Sequence, residues 1–139
     1  MYARVGEHPA DRVFIHVTVA AEELQALVDN LAFEALSVGA IGWVAGLVTA
    51  FPRETVAIYQ LMKQGRRDEA LAIYRWFRPL LDLDVSTYLV QNIKLAEVLE
   101  IGTNDRVRMP RMPLSGDRRK QAEAVVHAAI ASRPALPAF

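Results

Sequence analysis

Apolar residues along this chain recur mostly at helical spacing, and the stretches that break the rhythm are bounded by glycine and proline. Residues 67 to 82 carry Ala70, Tyr74, Phe77 and Leu81 on one stripe, with Pro79 read as a kink or an early stop. Residues 85 to 100 repeat the pattern with Leu89, Ile93, Ala96 and Leu99, ending at Gly102. A helix over 53 to 64 opens behind Pro52, where a missing N–H costs nothing, and closes at Gly65. A last helix begins after a cap at Ser115 or Asp117 and shows the face Ala122, Val125, Val126, Ala129 and Ile130. Between the third and last of these helices, "TNDRVRMPRMPLSGD" reads as an extended, proline-punctuated connection, and the tail "SRPALPAF" as loosely held.

The first third behaves differently. "RVFIHVTVA", residues 12 to 20, is rich in β-branched and aromatic types and predicts a strand. "AAEELQALVDN" predicts a helix start, with Glu22 and Glu23 suiting its N-terminus. "NLAFEALSVGA" predicts a short helix with Leu31, Ala35 and Val38 on one face, stopped at Gly39.

From Ala35 to Phe51 run seventeen residues without a charge, including the G-x-x-x-G of Gly42 to Gly46. A membrane span is one reading, since the run reaches the lower edge of the required length. Glu34 beside it, three glycines and few flanking basic residues weigh against a span. A phosphate cradle fails on spacing, because glycines at 39, 42 and 46 fit neither nucleotide-loop pattern. The reading that fits is a buried parallel strand, "AIGWVAGLV", set between a helix ending at Gly39 and one starting at Pro52.

Composition narrows the function classes. The chain has 139 residues, enough for one core, and is 53% hydrophobic, so disorder is excluded. Sixteen basic residues balance sixteen acidic ones, which leaves no electrostatic footprint for nucleic acid or an anionic membrane. No cysteine is present, which removes disulfides and thiolate metal sites and fits a reducing cytosol. No apolar run follows the first basic residue, so no secretory signal is expected. His8, His16 and His127 show no metal-ligand spacing, and no cofactor is called for.

The motifs from "VDNLAFEALSVGAIGWVAGLVTAFP" through "LVQNIKLAEVLEIGTNDRVRMPRMPLSGDRRKQ" resemble the C-terminal portion of the dihydrodipicolinate synthase/N-acetylneuraminate lyase family, over roughly residues 28 to 135. An aspartate at a strand end, a G-x-x-G turn, an apolar strand, three helices and an R-x-P-x-x-P-L connection come in the family's order. The resemblance implies an α/β fold: a C-terminal fragment of a (β/α)8 TIM barrel, about two strands, followed by a helical segment, the whole predominantly helical and of an oligomeric type. It divides the chain into an atypical leader at 1–27, the last barrel βα unit and strand at 28–52, and C-terminal helices and tail at 53–139.

The chemistry implied is class I lyase work, in which a lysine forms a Schiff base with a 2-oxo acid such as pyruvate and a tyrosine relays protons. The matched region starts near the seventh strand, so the strands bearing that lysine and tyrosine are not represented. Lys63, Lys94 and Lys120 read as surface residues, and Tyr59, Tyr74 and Tyr88 as packing residues. No catalytic residue is therefore assigned. Matching to the strand ends nominates Asp29, Asn30, Ala45, Gly46 and Thr49 for the substrate pocket, with helix capping and packing as alternatives. The expected molecule is a cytoplasmic, truncated lyase-family member, inactive alone, that self-associates or docks with a complementing N-terminal barrel part. A 2-oxo acid would bind only once the barrel is complete, and neither nucleic acid nor membrane is an expected partner. The alternative is a non-catalytic helical oligomerisation or binding module derived from that family. The text "LQALVDN" departs from the family, which usually has a glycine just before the aspartate, and residues 1 to 27 do not match it.

Overall fold

The computed structural model describes residues 24–26 and 29–138. The strand expected at 12 to 20 lies outside the described residues. Two short strands, β1 (Leu24–Ala26) and β2 (Ala40–Trp43), pair in parallel, joined through a 3-10 turn at Asp29–Leu31 and helix α1 (Ala32–Ser37). A 3-10 turn at Leu47–Thr49 leads to α2 (Pro52–Lys63), α3 (Arg67–Leu81), a 3-10 turn at Asp82–Val85, α4 (Leu89–Ile101) and α5 (Gly116–Ala131). Among the described residues helices dominate, and the strands there form a single parallel pair rather than a closed barrel.

Several expectations need correction. Residues 24–26 are strand and not helix, because pairing with β2 (Leu24 opposite Ala40, Ala26 opposite Trp43) overrides the high helix propensity of Leu, Gln and Ala. The apolar run does not continue as strand to Val48. It turns after Trp43, and Ile41 remains 41% exposed, so β2 is not covered on both faces. No helix among the described residues is long and apolar enough to cross a membrane, and residues 35–51 are divided among α1, β2 and a turn. In α1 the buried residues are Ala32 and Phe33, whereas Leu31 and Val38 are exposed. With only six residues the helical period decides little, and the largest ring sets the face by stacking on Tyr74 with centroids 5.3 Å apart.

The helical segment follows the sequence closely. Pro52 stands at the first position of α2. Gly65, at φ +74°, ends that helix as the Arg66 N–H reaches the Leu61 carbonyl at 2.8 Å, a left-handed closure that a side chain would strain. Pro79 does not stop α3 early, since it lies in the final turn and the helix runs on to Leu81. The helix read as starting at 85 starts at Leu89. Ser86 holds its entry, its Oγ accepting from the Tyr88 N–H at 3.1 Å and from the Asn92 amide at 3.1 Å.

The core gathers Leu47, Phe51, Ile58, Leu61, Leu80 and Val126. Phe51 meets Phe77 edge-on with centroids 5.7 Å apart and Trp76 at 6.2 Å. The Trp76 indole donates to the Ala129 carbonyl at 3.1 Å, which ties α5 across α3. Ala70, Tyr74, Phe77 and Leu81 are all buried as their stripe predicts. In α4 the buried side is instead Gln91, Asn92, Leu95, Ala96 and Glu97, because the helix is covered by both α5 and the 82–85 turn.

Candidate functional site at the strand ends

Both strands deliver their C-terminal ends to one place, and Asp29 organises it. The residue is 3% exposed, so its carboxylate must be compensated by protein donors. Its Oδ1 accepts from the Trp43 indole N–H at 2.8 Å. Its Oδ2 accepts from the Gly46 N–H at 2.7 Å and the Leu47 N–H at 3.0 Å. The carboxylate therefore clamps the exit of β2 to the end of β1. It also caps the first N–H groups of the 47–49 turn.

A second carboxyl closes over the clamp. Asp84, from the turn between α3 and α4, packs so close to Gly46 that a Cβ there would lie 2.6 Å from its Oδ2 and 2.9 Å from its Oδ1. The same Cβ would sit 3.0 Å from Ile93 Cδ1. Gly46 has ordinary right-handed geometry, so it is required here for space and not for conformation. No donor among the described residues faces the buried Asp84 Oδ1. Burial first, and the neighbouring Asp29 carboxyl second, push Asp84 up to about 7. The Asp29 oxygens already accept three N–H bonds, and a protonated Asp84 carboxyl can donate to its neighbour.

The five nominated residues divide. Asp29 and Gly46 are brought into direct contact. Ala45 lines an open apolar cleft of about 370 Å³ with Ile41, Trp43, Val48, Val56 and Tyr59. Thr49 is exposed and spends its hydroxyl on the Gly46 carbonyl at 3.2 Å. Asn30 turns towards α3, where its carbonyl accepts from the Tyr74 hydroxyl, which also faces Glu34 Oε2 at 2.8 Å. Burial and Glu34 push the Tyr74 phenol up, well above its ordinary value. The Asn30 Oδ1 is buried with no donor among the described residues.

Sequence reasoning missed Asp84 and Trp43. Asp84 sits in "LDLDV" with no periodic signal, and only the return of the chain from α3 to the strand ends gives it a role. Trp43 was visible as one apolar residue in a run, but its indole donor is what Asp29 uses.

None of the three lysines is hydrogen-bonded or ion-paired to Asp29 or Asp84. Lys63 is exposed at the end of α2, 5.7 Å from the Tyr59 ring centroid. Lys94 pairs with Glu97 at 2.8 Å, and Lys120 lies 3.7 Å from Asp117 with its side chain 78% exposed. Among the described residues no group of three or more acidic, histidine or cysteine side chains is placed to hold a metal ion.

Residues 21–129 match the model of the dihydrodipicolinate synthetase family. The chain belongs to the dihydrodipicolinate synthetase family. No curated protein matches it. The family match covers the strand pair, the Asp29 clamp and all of α1 to α4, and most of α5. It starts at residue 21, so it also takes in β1, where the wording "LQALVDN" departs from the usual glycine.

Proposed function

We propose that this chain supplies the last βα unit and the C-terminal helical segment of a class I, Schiff-base lyase acting on a small 2-oxo acid such as pyruvate. The boundaries expected from the sequence are a leader at 1–27, the terminal barrel unit at 28–52 and the helical segment at 53–139, with the family match reaching back to residue 21 so that β1 joins the barrel unit. Membership of a lyase and aldolase family supports the reaction class. The observation that carries the rest is the position of the lysines. All three stand on the helical segment, and none forms a hydrogen bond or ion pair with Asp29 or Asp84, so in this reading no lysine of the chain serves as the imine-forming amine of the strand-end site. In this reading it turns over nothing alone.

Asp29 and Gly46 then serve as the fixed floor of the strand-end site, holding the β2 exit in place, while Ala45 keeps the adjoining space open. Asn30 and Thr49 belong to the same rim. β1 is the only strand pairing with β2 among the described residues, and the unpaired edge runs beside the apolar cleft of Ile41, Trp43 and Val56. An open edge next to exposed apolar side chains favours association. Family members are usually oligomeric, which points the same way. The partner in this reading is a complementing N-terminal barrel part or another copy, in the cytoplasm, with no role for nucleic acid, membrane, metal or organic cofactor.

The test is complementation. The chain is coexpressed with an N-terminal barrel part carrying the family's lysine and tyrosine strands, and lyase turnover is assayed against each part alone. Turnover only in the mixture supports the proposal. Stable co-purification without turnover supports the second reading, a non-catalytic assembly module, which the exposed apolar residues beside β2 favour equally.

A further inference from the structure

A second cleft, of about 350 Å³, lies between α4, the segment 110–115 and the first turn of α5, lined among others by Tyr88, Gln91, Arg111, Ser115 and Arg118. None of these residues takes part in the Asp29 clamp. Gln91 is only 7% exposed, yet its Oε1 has no donor among the described residues. An acceptor buried without a partner is costly, so this position favours a ligand that brings a hydrogen. Ser115 stands at the N-cap of α5 without a side-chain capping bond, which leaves the first N–H groups of a sixteen-residue helix without an acceptor from that side chain.

Charge is present and uncommitted. Arg118 lies over the Tyr88 ring, 3.9 Å from its centroid. Neither Arg118 nor Arg111 forms an ion pair among the described residues, whereas Arg119 beside them is taken by Asp105 at 2.6 Å and Glu123 at 2.7 Å. The nearest acid of that turn, Asp117, has a side chain 91% exposed and faces Lys120. Guanidinium forks and a helix N-terminus together recognise an oxyanion.

We propose that this cleft binds a protonated oxyanion, hydrogen phosphate being the simplest: Arg111, Arg118 and the α5 N-terminus take its charged oxygens, and Gln91 Oε1 accepts from its P–O–H. Sulfate has the same shape but carries no proton at neutral pH. A phosphate monoester dianion lacks it as well. A site with an acceptor aimed at that proton rejects both, because the acceptor would stay unpaired.

The experiment is a titration of the full chain at pH 7.5 with inorganic phosphate, sulfate and glycerol phosphate, followed by amide and side-chain NMR shifts. Phosphate is expected to give saturable shifts at Ser115, Gly116 and the Gln91 side chain, at least about tenfold tighter than the other two anions. In Gln91→Met the preference for phosphate over sulfate falls to near unity, and in Arg118→Met all affinity drops by about tenfold or more. No saturable shift with phosphate, or sulfate binding as tightly as phosphate to the unmodified chain, would overturn the proposal. The anion comparison on the unmodified chain needs no variant to fold. It is also independent of whether the strand-end site is ever completed.

Discussion

Asp84 lies against Gly46 closely enough that any side chain there must displace it, a Cβ falling 2.6 Å from its Oδ2. The turn after α3 is thereby locked to the exit of β2, and the helical segment reports directly on the strand ends. Gly46→Ala should force either Asp84 or Ile93 to move. The expected loss is about 1–3 kcal/mol in urea unfolding, the range for overpacking a filled site. Adding Asp84→Ser in the same chain should recover part of it, and a purely additive pair would show that the two residues do not meet.

The pH dependence follows from the same contact. Asp84 is raised in the folded chain, from 3.8 to about 7, so the folded state holds the proton more tightly than the unfolded one. Its contribution to stability is complete below about 3.8 and is lost as the pH climbs to about 7. Asp84→Asn keeps the donor and removes the charge. It should flatten this part of the stability profile and stabilise the chain at pH 8 by about 1–2 kcal/mol, a value reduced for the partial exposure of the carboxyl. Thermal melts from pH 4 to pH 8 on both chains would check this, and parallel profiles would contradict it.

Asp29 is the other half of the clamp. Asp29→Ala strands the Trp43, Gly46 and Leu47 N–H groups, which now share one carboxylate. A cost of about 3 kcal/mol is expected for buried donors left without acceptors. Hydrogen exchange should quicken at Gly46 and Leu47 well before it does in α2. Uniform acceleration across the chain would instead mean that Asp29 stabilises nothing local.

Trp76 tests the helical segment separately. Trp76→Phe keeps most of the stacking with Phe77, at 5.5 Å between centroids, but removes the bond to the Ala129 carbonyl. About 1 kcal/mol should be lost, with exchange protection falling in the last turn of α5.

These contacts also show what the sequence could and could not disclose. Pro52, Gly65 and Gly102 mark their helix boundaries in the chain itself, because a fixed φ, a missing N–H or a left-handed closure is a local property. The stripe of Ala70, Tyr74, Phe77 and Leu81 is legible for the same reason. Residues 24–26 are strand only because β2 lies alongside, and that pairing is written nowhere in "LQA". Asp29 was nominated for the strand-end site through its place in a family pattern. Its three donors and its neighbour Asp84 come from segments 14 to 55 positions away in sequence, so the clamp was not. Thr49, nominated beside Gly46, faces solvent because the run after Trp43 turns instead of continuing as strand.

The central claim is that this chain carries the frame of a Schiff-base lyase site without its amine. Borohydride trapping tests it most directly. The folded chain is incubated with a panel of small 2-oxo acids, pyruvate among them, reduced, and examined by intact mass and peptide mapping. No adduct on Lys63, Lys94 or Lys120 is the predicted result, with an adduct appearing on the partner's lysine once a complementing barrel part is present. A stable reduced adduct on any of the three lysines of the chain alone would contradict the account.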